Sequence, residues 1–405
     1  MNKSILLAIS MFLFPGVPAA QQAPESTSHS QNLASFEQAL INRYEWGQEQ
    51  PRTWSIPERL QAHNVPGVAL AIIEKNQVVY AKGYGERSAL SVSSVDQNTL
   101  FSVGSVSKVA NATLLLKLVD EGTLKLDTDV NNYLSSWKVP DSRYTRKHPV
   151  TLRHILSHTA GFNVHGFPDF LPGETLPDTL DTLNGKAPAK HRAVRVRFTP
   201  GSTMDYSGGG ITVSQLVAST ITKTNYVSLA KDKLFLPLEM SRSTFENPLP
   251  ESISNVAFAH NDNGKPVALP RGYEAMPEMA ASGLWTSASD LAKLVIAINN
   301  SYQSKNGFLS QALTKDMLSR EQNSWYGLGP RINGEGDSFV FHHGGANNSY
   351  RAWIEGHPET GNGVVILTNG SNGHFVHQEI RNAIAQTRKW PVPSDGGFEE
   401  PELKN

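Results

Sequence analysis

The stretch that decides the fold reads Phe101-Ser102-Val103-Gly104-Ser105-Val106-Ser107-Lys108. From Ser105 to Gly122 the apolar residues recur at spacings of three and four, which predicts an amphipathic helix closed by Gly122. A helix that begins at Ser105 places the backbone N–H of that serine at its positive end, with Lys108 one turn along on the same face. A serine nucleophile needs this geometry. However, the motif by itself is explained equally well by a serine that caps the helix and a lysine that lies in solvent.

The S-x-x-K pattern occurs three times, at Ser105/Lys108, Ser135/Lys138 and Ser228/Lys231. Roughly one or two copies are expected by chance at ordinary residue usage. Ser135 lies in a short turn beside Trp137, and Ser228 lies inside a predicted helix, where its hydroxyl bonds the backbone more simply. The context therefore favours Ser105.

The composition excludes several classes of protein. The 405 residues carry 36 Lys and Arg against 37 Asp and Glu, a net charge of −1, which argues against a nucleic-acid partner. A hydrophobic content of 39% with 18% charged residues supports a large core. The chain has no cysteine, which excludes disulfides, thiolate metal sites and a lipid anchor on an N-terminal cysteine.

Common enzyme signatures are missing from the sequence. It contains no G-x-S-x-G elbow, Walker loop, G-x-G-x-x-G fingerprint or H-E-x-x-H helix. The run 127–131 imitates the start of a calcium loop, but Asn132 stands where glycine is needed. His154 and His158 share one face of a predicted helix and have no evident carboxylate partner, which favours packing near an active site over a metal site. No metal or organic cofactor is expected.

The two ends of the chain indicate processing and export. Lys3 precedes a mostly apolar run, residues 5–17, that is too short to span a bilayer and is followed by small residues. Residues 1–20 are therefore predicted to be a bacterial signal peptide, which places the mature protein in the periplasm or the medium. A membrane anchor is disfavoured because polar residues follow directly, and no stable membrane span is expected. Residues 21–50 are predicted as a leader and the start of a first helix, and 391–405 as a flexible tail.

Strand signals cluster at both ends of the chain, around a helical and loop-rich middle. The predicted strands cover residues 68–74, 78–82, 339–342, 350–355 and 364–368, and the predicted helices cover 105–122, 152–158, 212–220, 226–234, 288–300 and 376–389. Residues 162–200 show little periodicity, and long loops in compact proteins are usually lids or binding segments. We expect Phe167, Asp169, Phe170 and Leu171 to overhang a cleft and set specificity, so that trimming this segment changes the substrate range and leaves the fold intact.

Ordered blocks along the chain resemble the serine β-lactamase and penicillin-binding-protein superfamily, specifically its class C-like branch, which also contains D,D-carboxypeptidases, D-aminopeptidases and carboxylesterases. The blocks are residues 66–69, 101–108, 151–161, 200–201, 206–208, 237–240, 281–284 with Asp290, and 343–347. The resemblance implies an α/β fold of the α+β type, with an antiparallel sheet flanked by helices and an inserted helical lobe. It implies a catalytic domain over 51–390, with a sheet lobe at about 51–120 and 270–390 and a helical lobe at about 121–269.

The same resemblance implies roles for individual residues. Ser105 matches the acylated nucleophile, Lys108 its lysine partner, Tyr206 a tyrosine used in proton transfer, and His343 the first residue of the third element on the strand that lines the cleft. The backbone N–H groups of Ser105 and Ala346 would form the oxyanion hole. Substrate-binding positions are implied at Gly208, Gly344, Gly345 and Asn347. Lysine has a reference pKa of roughly 10.4, so Lys108 must be desolvated or placed beside a cation to act as a base. The sequence leaves either Lys108 or Tyr206 as the principal base, because coupled groups share their titration.

Two departures from the family pattern bear on the substrate. Gly208 stands where many members carry an asparagine that holds the substrate amide, and His343 replaces the commoner lysine, so a largely neutral imidazole faces a substrate carboxylate. Both departures favour carboxylic esters or D-amino-acid amides over penicillins as substrates. The expected partner is therefore a small-molecule ester, an amide or a cell-wall peptide. A true class C-like β-lactamase or D,D-carboxypeptidase stays open, as does a non-catalytic cell-wall-binding or scaffolding protein, although binding alone does not need Ser105, Lys108 and Tyr206 together.

Overall fold

The computed structural model describes Met1 and residues 34–42, 44–45, 48–171, 173–267, 276–304 and 306–391. Apart from Met1 and residue 391, the predicted signal peptide and tail lie outside these residues. None of the described helices is both long enough and apolar enough to cross a membrane.

A seven-stranded antiparallel sheet forms the centre of the molecule. The strands of the described chain are β1 (Leu40–Ile41), β2 (Thr53–Trp54), β3 (Gly67–Glu74), β4 (Gln77–Ser88), β5 (Ser91–Ser94), β6 (Phe101–Ser102), β7 (Trp285–Thr286), β8 (Arg331–Asn333), β9 (Val340–Ala346), β10 (Arg351–His357) and β11 (Asn362–Thr368). The large sheet has the order β5-β4-β3-β11-β10-β9-β8. Because β3 pairs with β11, the two ends of the chain meet in the middle of the sheet. The predicted antiparallel sheet with flanking helices is confirmed.

The sequence of β3 explains why helices cover both faces of this sheet. Residues 67–73 form a continuous apolar run and are buried, as expected of a strand without a solvent face. Side chains alternate between faces along a strand. Ala69, Ala71 and Ile73 join the larger core with the helix Ala288–Gln303, and the intervening residues of β3 join a second core with the helix Gly373–Arg388.

The remaining helices build the lobe beside the sheet and support the site. The α-helices of the described chain are Ile56–Ala62, Ser107–Asp120, Leu152–Leu156, Thr179–Asn184, Gly208–Thr222, Tyr226–Ala230, Met279–Ser282, Ala288–Gln303, Gln311–Met317 and Gly373–Arg388. A 3-10 turn, Gly104–Val106, precedes the helix Ser107–Asp120. The helices Gly208–Thr222 and Met279–Ser282 both contact the helix Ser107–Asp120.

Several predicted elements differ from the structure in instructive ways. The helix predicted at 152–158 ends at Leu156, and His158 has a left-handed backbone with φ of 59°. His154 and His158 therefore do not share a helical face, so the basis for pairing them as metal ligands was wrong. In the described part of residues 21–50, a 3-10 turn at Ser35–Gln38 and strand β1 stand where the start of a helix was expected, and the first α-helix begins at Ile56.

The segment 162–200 is more ordered than its composition indicates. It contains the helix Thr179–Asn184, capped by the Asp178 side chain, and it buries Phe162, Leu183 and Val194 in the main core. Removing the whole segment would delete these core side chains and leave the core unfilled there, so complete trimming is not expected to leave the fold intact. For the stretch around Phe167, the expectation that trimming leaves the fold intact stays a prediction.

Candidate active site

Ser105 lies in a tight turn that two glycines allow to approach strand β9. Gly104 has φ of 48°, and a Cβ atom there would lie 2.6 Å from the carbonyl oxygen of Ala346. A Cβ at Gly345 would lie 1.9 Å from the carbonyl oxygen of Val103. The Ser107 hydroxyl closes the turn, because it donates to Gly104 O at 2.6 Å and accepts from Leu284 N at 3.0 Å. The turn that holds Ser105 therefore packs directly against the residues implied for the oxyanion hole.

Lys108 reaches the serine from the first turn of the helix Ser107–Asp120. Its Nζ donates to the Ser105 Oγ at 3.2 Å and to the Ala281 carbonyl oxygen at 2.8 Å. The side chain is 1% exposed, and burial lowers the pKa of its ammonium to about 7. Near neutral pH much of Lys108 is therefore uncharged and able to accept a proton from the serine. Lys108 is thus desolvated, as its predicted role as a base requires.

The other two S-x-x-K pairs have different surroundings. Ser135 and Lys138 are exposed, and the Lys138 ammonium donates to the carbonyl oxygen of Asn131. Ser228 gives its backbone N–H to the Asn225 cap of a short helix, and Lys231 is exposed. Neither of these lysines is buried as Lys108 is.

Tyr206 lies within an aromatic group close to the lysine. The Nζ of Lys108 lies 4.8 Å from the centroid of the Tyr206 ring, a cation–π distance. The rings of His158, His165, Tyr326 and His343 lie 4.3, 4.7, 5.9 and 6.4 Å from that of Tyr206, between centroids. Next in sequence, Ser207 caps the helix Gly208–Thr222. The structure thus brings Ser105, Lys108, Tyr206 and His343 into one site.

His158 is a component of this site that the sequence reasoning placed only as a packing residue near it. It is 2% exposed, and its Nδ1 accepts the backbone N–H of Ser207 at 3.2 Å. Burial, followed by the nearby charge of Lys108, holds the pKa of His158 well below its usual range. The ring is therefore neutral, and with Nδ1 as acceptor the proton lies on Nε2. His158 fixes the backbone beside Tyr206 and packs against its ring, a role visible only once the chain folds.

His343 faces the same site from strand β9. Its Nδ1 bonds the carbonyl oxygen of Gly344 at 2.6 Å, which leaves Nε2 as an acceptor. Burial lowers the pKa of this imidazole well below its usual range, and the charge of Lys108 lowers it further. His343 thus presents a neutral ring beside Tyr206 and Tyr326.

The side chain of Asn347 is used within the protein. Its Nδ2 donates to the Ser102 hydroxyl at 2.9 Å, and its Oδ1 accepts the backbone N–H groups of Ser349 and Tyr350. These bonds hold the turn after β9 against β6. The Asn347 side chain thus has a structural task, and its implied substrate-binding role stays a prediction.

Phe167 occupies the space beside Gly208. A Cβ atom at Gly208 would lie 2.8 Å from the Cε2 of Phe167 and 3.2 Å from the carbonyl oxygen of His165. The Gly208 N–H donates to that same oxygen at 3.0 Å. The asparagine that the resemblance implies at this position would require Phe167 to shift, which gives the glycine a physical reason.

The segment 163–171 with Lys190, here called the lid, crosses from the Tyr206 side of the site to the end of β9. At one end Gly208 N bonds His165 O, and at the other the Asp169 carboxylate accepts the N–H of Asn348 at 3.1 Å. Phe170 is buried and Leu171 is 49% exposed. Of the four residues expected to overhang the cleft, Phe167 and Asp169 contact its rim directly. Among the described residues, no group of three or more His, Asp or Glu is placed to hold a metal ion.

Comparisons with known proteins agree with this fold. The Beta-lactamase family profile matches residues 55–389. The chain is 22% identical over 344 residues to Protein flp of Staphylococcus aureus strain N315, covering 82% of this chain and 65% of that protein, just under two thirds of its length. It is 32% identical over 206 residues to Penicillin-binding protein 4 of Amycolatopsis lactamdurans, covering 49% of each.

A solved structure extends the likeness to the fold. The octameric penicillin-binding protein homologue from Pyrococcus abyssi superposes with a TM-score of 0.64 at 24% identity, covering 82% of this chain and 76% of that one. The fold is thus that of a serine β-lactamase-like or penicillin-binding-protein-like molecule. The chain belongs to the Beta-lactamase family.

Proposed function

We propose that this protein is an exported serine hydrolase that forms an acyl-serine intermediate on carboxylic esters or D-amino-acid peptides and amides. The observation that carries the proposal is the 3.2 Å contact between the Nζ of Lys108 and the Oγ of Ser105, with burial lowering the pKa of the lysine to about 7. A neutral amine at this distance removes the serine proton as the oxygen attacks.

The remaining steps follow from the positions of the neighbouring groups. Attack of the Ser105 Oγ on the acyl carbon places negative charge on the carbonyl oxygen, and the N–H groups of Ser105 and Ala346 are assigned to stabilise it. One such donor is typically worth about 3 kcal/mol in the transition state. Tyr206, beside Lys108, passes the proton to the leaving alcohol or amine. Water then attacks the acyl carbon, and the serine is released with a new carboxylic acid.

Two features support esters and D-amino-acid amides over penicillins. Phe167 fills the place of the amide-holding asparagine, and the neutral His343 provides no positive charge for a substrate carboxylate. Export to the periplasm or the medium is proposed from residues 1–20 alone.

The test is intact-protein mass spectrometry of the mature chain after exposure to an activated ester, a fluorophosphonate and a penicillin. We expect an adduct from the first two reagents that disappears in Ser105→Ala and persists in Ser135→Ala, the matched change in the exposed S-x-x-K copy. No adduct from any reagent would overturn the hydrolase proposal and favour a cell-wall-binding or scaffolding protein. An adduct with penicillin that releases as a hydrolysed product would instead support a β-lactamase.

A further inference from the structure

Two buried histidine nitrogens beside Tyr206 lack a hydrogen-bond partner. They are the Nε2 atoms of His158 and His343, and neither is bonded to any residue that the structure describes. The two residues are 2% and 3% exposed. Buried polar groups in native proteins are usually paired, because an unmade hydrogen bond in the protein interior is costly. Two such atoms beside one tyrosine therefore indicate a polar ligand.

The two nitrogens have opposite polarity. The Nδ1 of His158 accepts the backbone N–H of Ser207, so its Nε2 carries the proton and is a donor. The Nδ1 of His343 bonds the carbonyl oxygen of Gly344, so its Nε2 is an acceptor. Burial and the charge of Lys108 lower the pKa of both imidazoles, so both rings stay neutral and keep these roles near pH 7. A ligand that satisfies both atoms must accept one hydrogen bond and donate another.

His343 lies on the face of β9 that packs against the turn holding Ser105. Side chains alternate along a strand, so His343 shares a face with Gly345. A Cβ atom at Gly345 would collide with the carbonyl oxygen of Val103, directly before the turn Gly104–Val106. The His343 ring is therefore on the side of the strand where the acylated serine would lie.

His158 borders the same two tyrosines as His343. The centroid of the His158 ring lies 4.3 Å from that of Tyr206 and 4.7 Å from that of Tyr326. For the His343 ring the corresponding distances are 6.4 and 5.9 Å. The Nζ of Lys108 lies 4.8 Å from the centroid of the Tyr206 ring. The donor and the acceptor thus belong to rings that surround the tyrosine and the lysine assigned to proton transfer.

We propose that the Nε2 atoms of His158 and His343 hold the water molecule that releases the acyl group from Ser105. The proposal deepens the hydrolase function above and rests on it. His158 donates to the water oxygen, and His343 accepts one of the two hydrogens. The other hydrogen is transferred as a proton to the Lys108 amine while the water oxygen bonds to the acyl carbon. The tetrahedral intermediate then breaks its bond to the Ser105 Oγ, which takes the proton back from Lys108.

This arrangement selects water over an alcohol as the acceptor of the acyl group. Water has two hydrogens, one for Lys108 and one for His343, whereas the hydroxyl of an alcohol has one. An attacking alcohol would give its hydrogen to Lys108, place its carbon against the Nε2 of His343 and leave that atom unpaired. The buried acceptor of His343 therefore favours hydrolysis over transfer of the acyl group to an alcohol.

The test measures how the acyl-serine divides between water and methanol. The protein is given p-nitrophenyl butyrate with methanol present, and butyric acid and methyl butyrate are quantified after subtraction of the Ser105→Ala background. His343→Phe should raise the ratio of methyl ester to acid at least about tenfold, because phenylalanine has no acceptor at this position. His343→Gln provides an amide oxygen as acceptor and should keep a ratio close to that of the wild type.

His342→Phe is the matched control. His342 is the neighbouring residue of β9, and its ring stacks on that of Trp353, a residue of the second core, at 4.8 Å between centroids. The same substitution there should leave the ratio unchanged. Only folded protein forms the acyl-serine, so partial unfolding lowers both products together and does not alter their ratio. If circular dichroism shows that His343→Phe does not fold, His343→Asn replaces it. The shorter amide of asparagine does not reach the position of Nε2, so this variant should also raise the ratio.

The two proposals can fail separately. An unchanged ratio in His343→Phe or its replacement, an equal rise in His343→Gln, or an equal rise in His342→Phe would overturn the water site. A reagent adduct on Ser105 would in each of these cases still support the hydrolase. No adduct on Ser105 from any reagent would overturn the hydrolase and the water site with it.

Discussion

The Nζ of Lys108 lies 3.2 Å from the Oγ of Ser105, and its second hydrogen bond is to a neutral carbonyl oxygen, that of Ala281. A carboxylate in that second position would hold the lysine charged. A carbonyl oxygen orients the amine without adding a negative charge, so burial lowers the pKa of Lys108 to about 7. This pair is the basis of the first two predictions.

The hydrolysis rate should rise with pH through about 7. The neutral form of Lys108 accepts the serine proton, and its fraction increases as pH passes the pKa of about 7. The pKa values of His158 and His343 are held well below the usual range, so these residues do not titrate in this interval. A pH profile of kcat/KM on an uncharged ester tests this prediction. A flat profile from about pH 6 to about pH 9 would contradict it.

Lys108→Met should abolish hydrolysis and stabilise the fold near pH 6. The pKa of Lys108 falls from its ordinary value of 10.5 to about 7 on folding, so the unfolded chain binds more protons between these values. The difference in the free energy of unfolding, wild type minus variant, therefore rises between about pH 7 and about pH 10.5. This difference is lowest below about pH 7. Denaturant unfolding at pH 6 should show a gain of about 1–3 kcal/mol. A less stable variant at pH 6 would exclude this account.

His158→Gln should lower kcat about 10- to 100-fold, with a smaller effect on KM. The substitution removes the ring that packs 4.3 Å from that of Tyr206 and disturbs the acceptor for the Ser207 N–H, so the tyrosine loses its fixed orientation. His154→Gln is the matched control, since His154 is on the preceding helix and has no ring contact with Tyr206 among the described contacts. Steady-state kinetics of both variants test this prediction. Equal decreases in kcat in the two variants would show that His158 has no special role.

Gly208→Asn should destabilise the protein by about 1–3 kcal/mol because its Cβ would lie 2.8 Å from the Phe167 ring. Phe167→Ala removes that ring, so the double variant should recover part of the loss. A double-mutant cycle of unfolding free energies measures the coupling between the two positions. Additive effects would indicate that Phe167 does not fill the space beside Gly208.

The resemblance of ordered blocks along the chain to a known family predicted the fold class. The apolar run of β3 and the helix after the S-x-x-K motif are local patterns, and local patterns indicate only which element a segment forms. The antiparallel sheet that the resemblance implies is confirmed. The ends of helices were predicted less accurately where the backbone conformation of a single residue decides where the helix stops. His158 is an example, because its φ of 59° is incompatible with the predicted helix, which therefore ends early.

The sequence by itself determined that Ser105 and Lys108 lie three residues apart at the start of a helix, on one side of the chain. The structure places Ser105 in the 3-10 turn Gly104–Val106 that leads into this helix. Only the tertiary structure decided the burial that lowers the pKa of Lys108, the packing of His158 on Tyr206 and the ring of Phe167 beside Gly208. Each of these depends on contacts between segments far apart in the chain. Desolvation and close packing are properties of such contacts, and the residues carry no local pattern that encodes them.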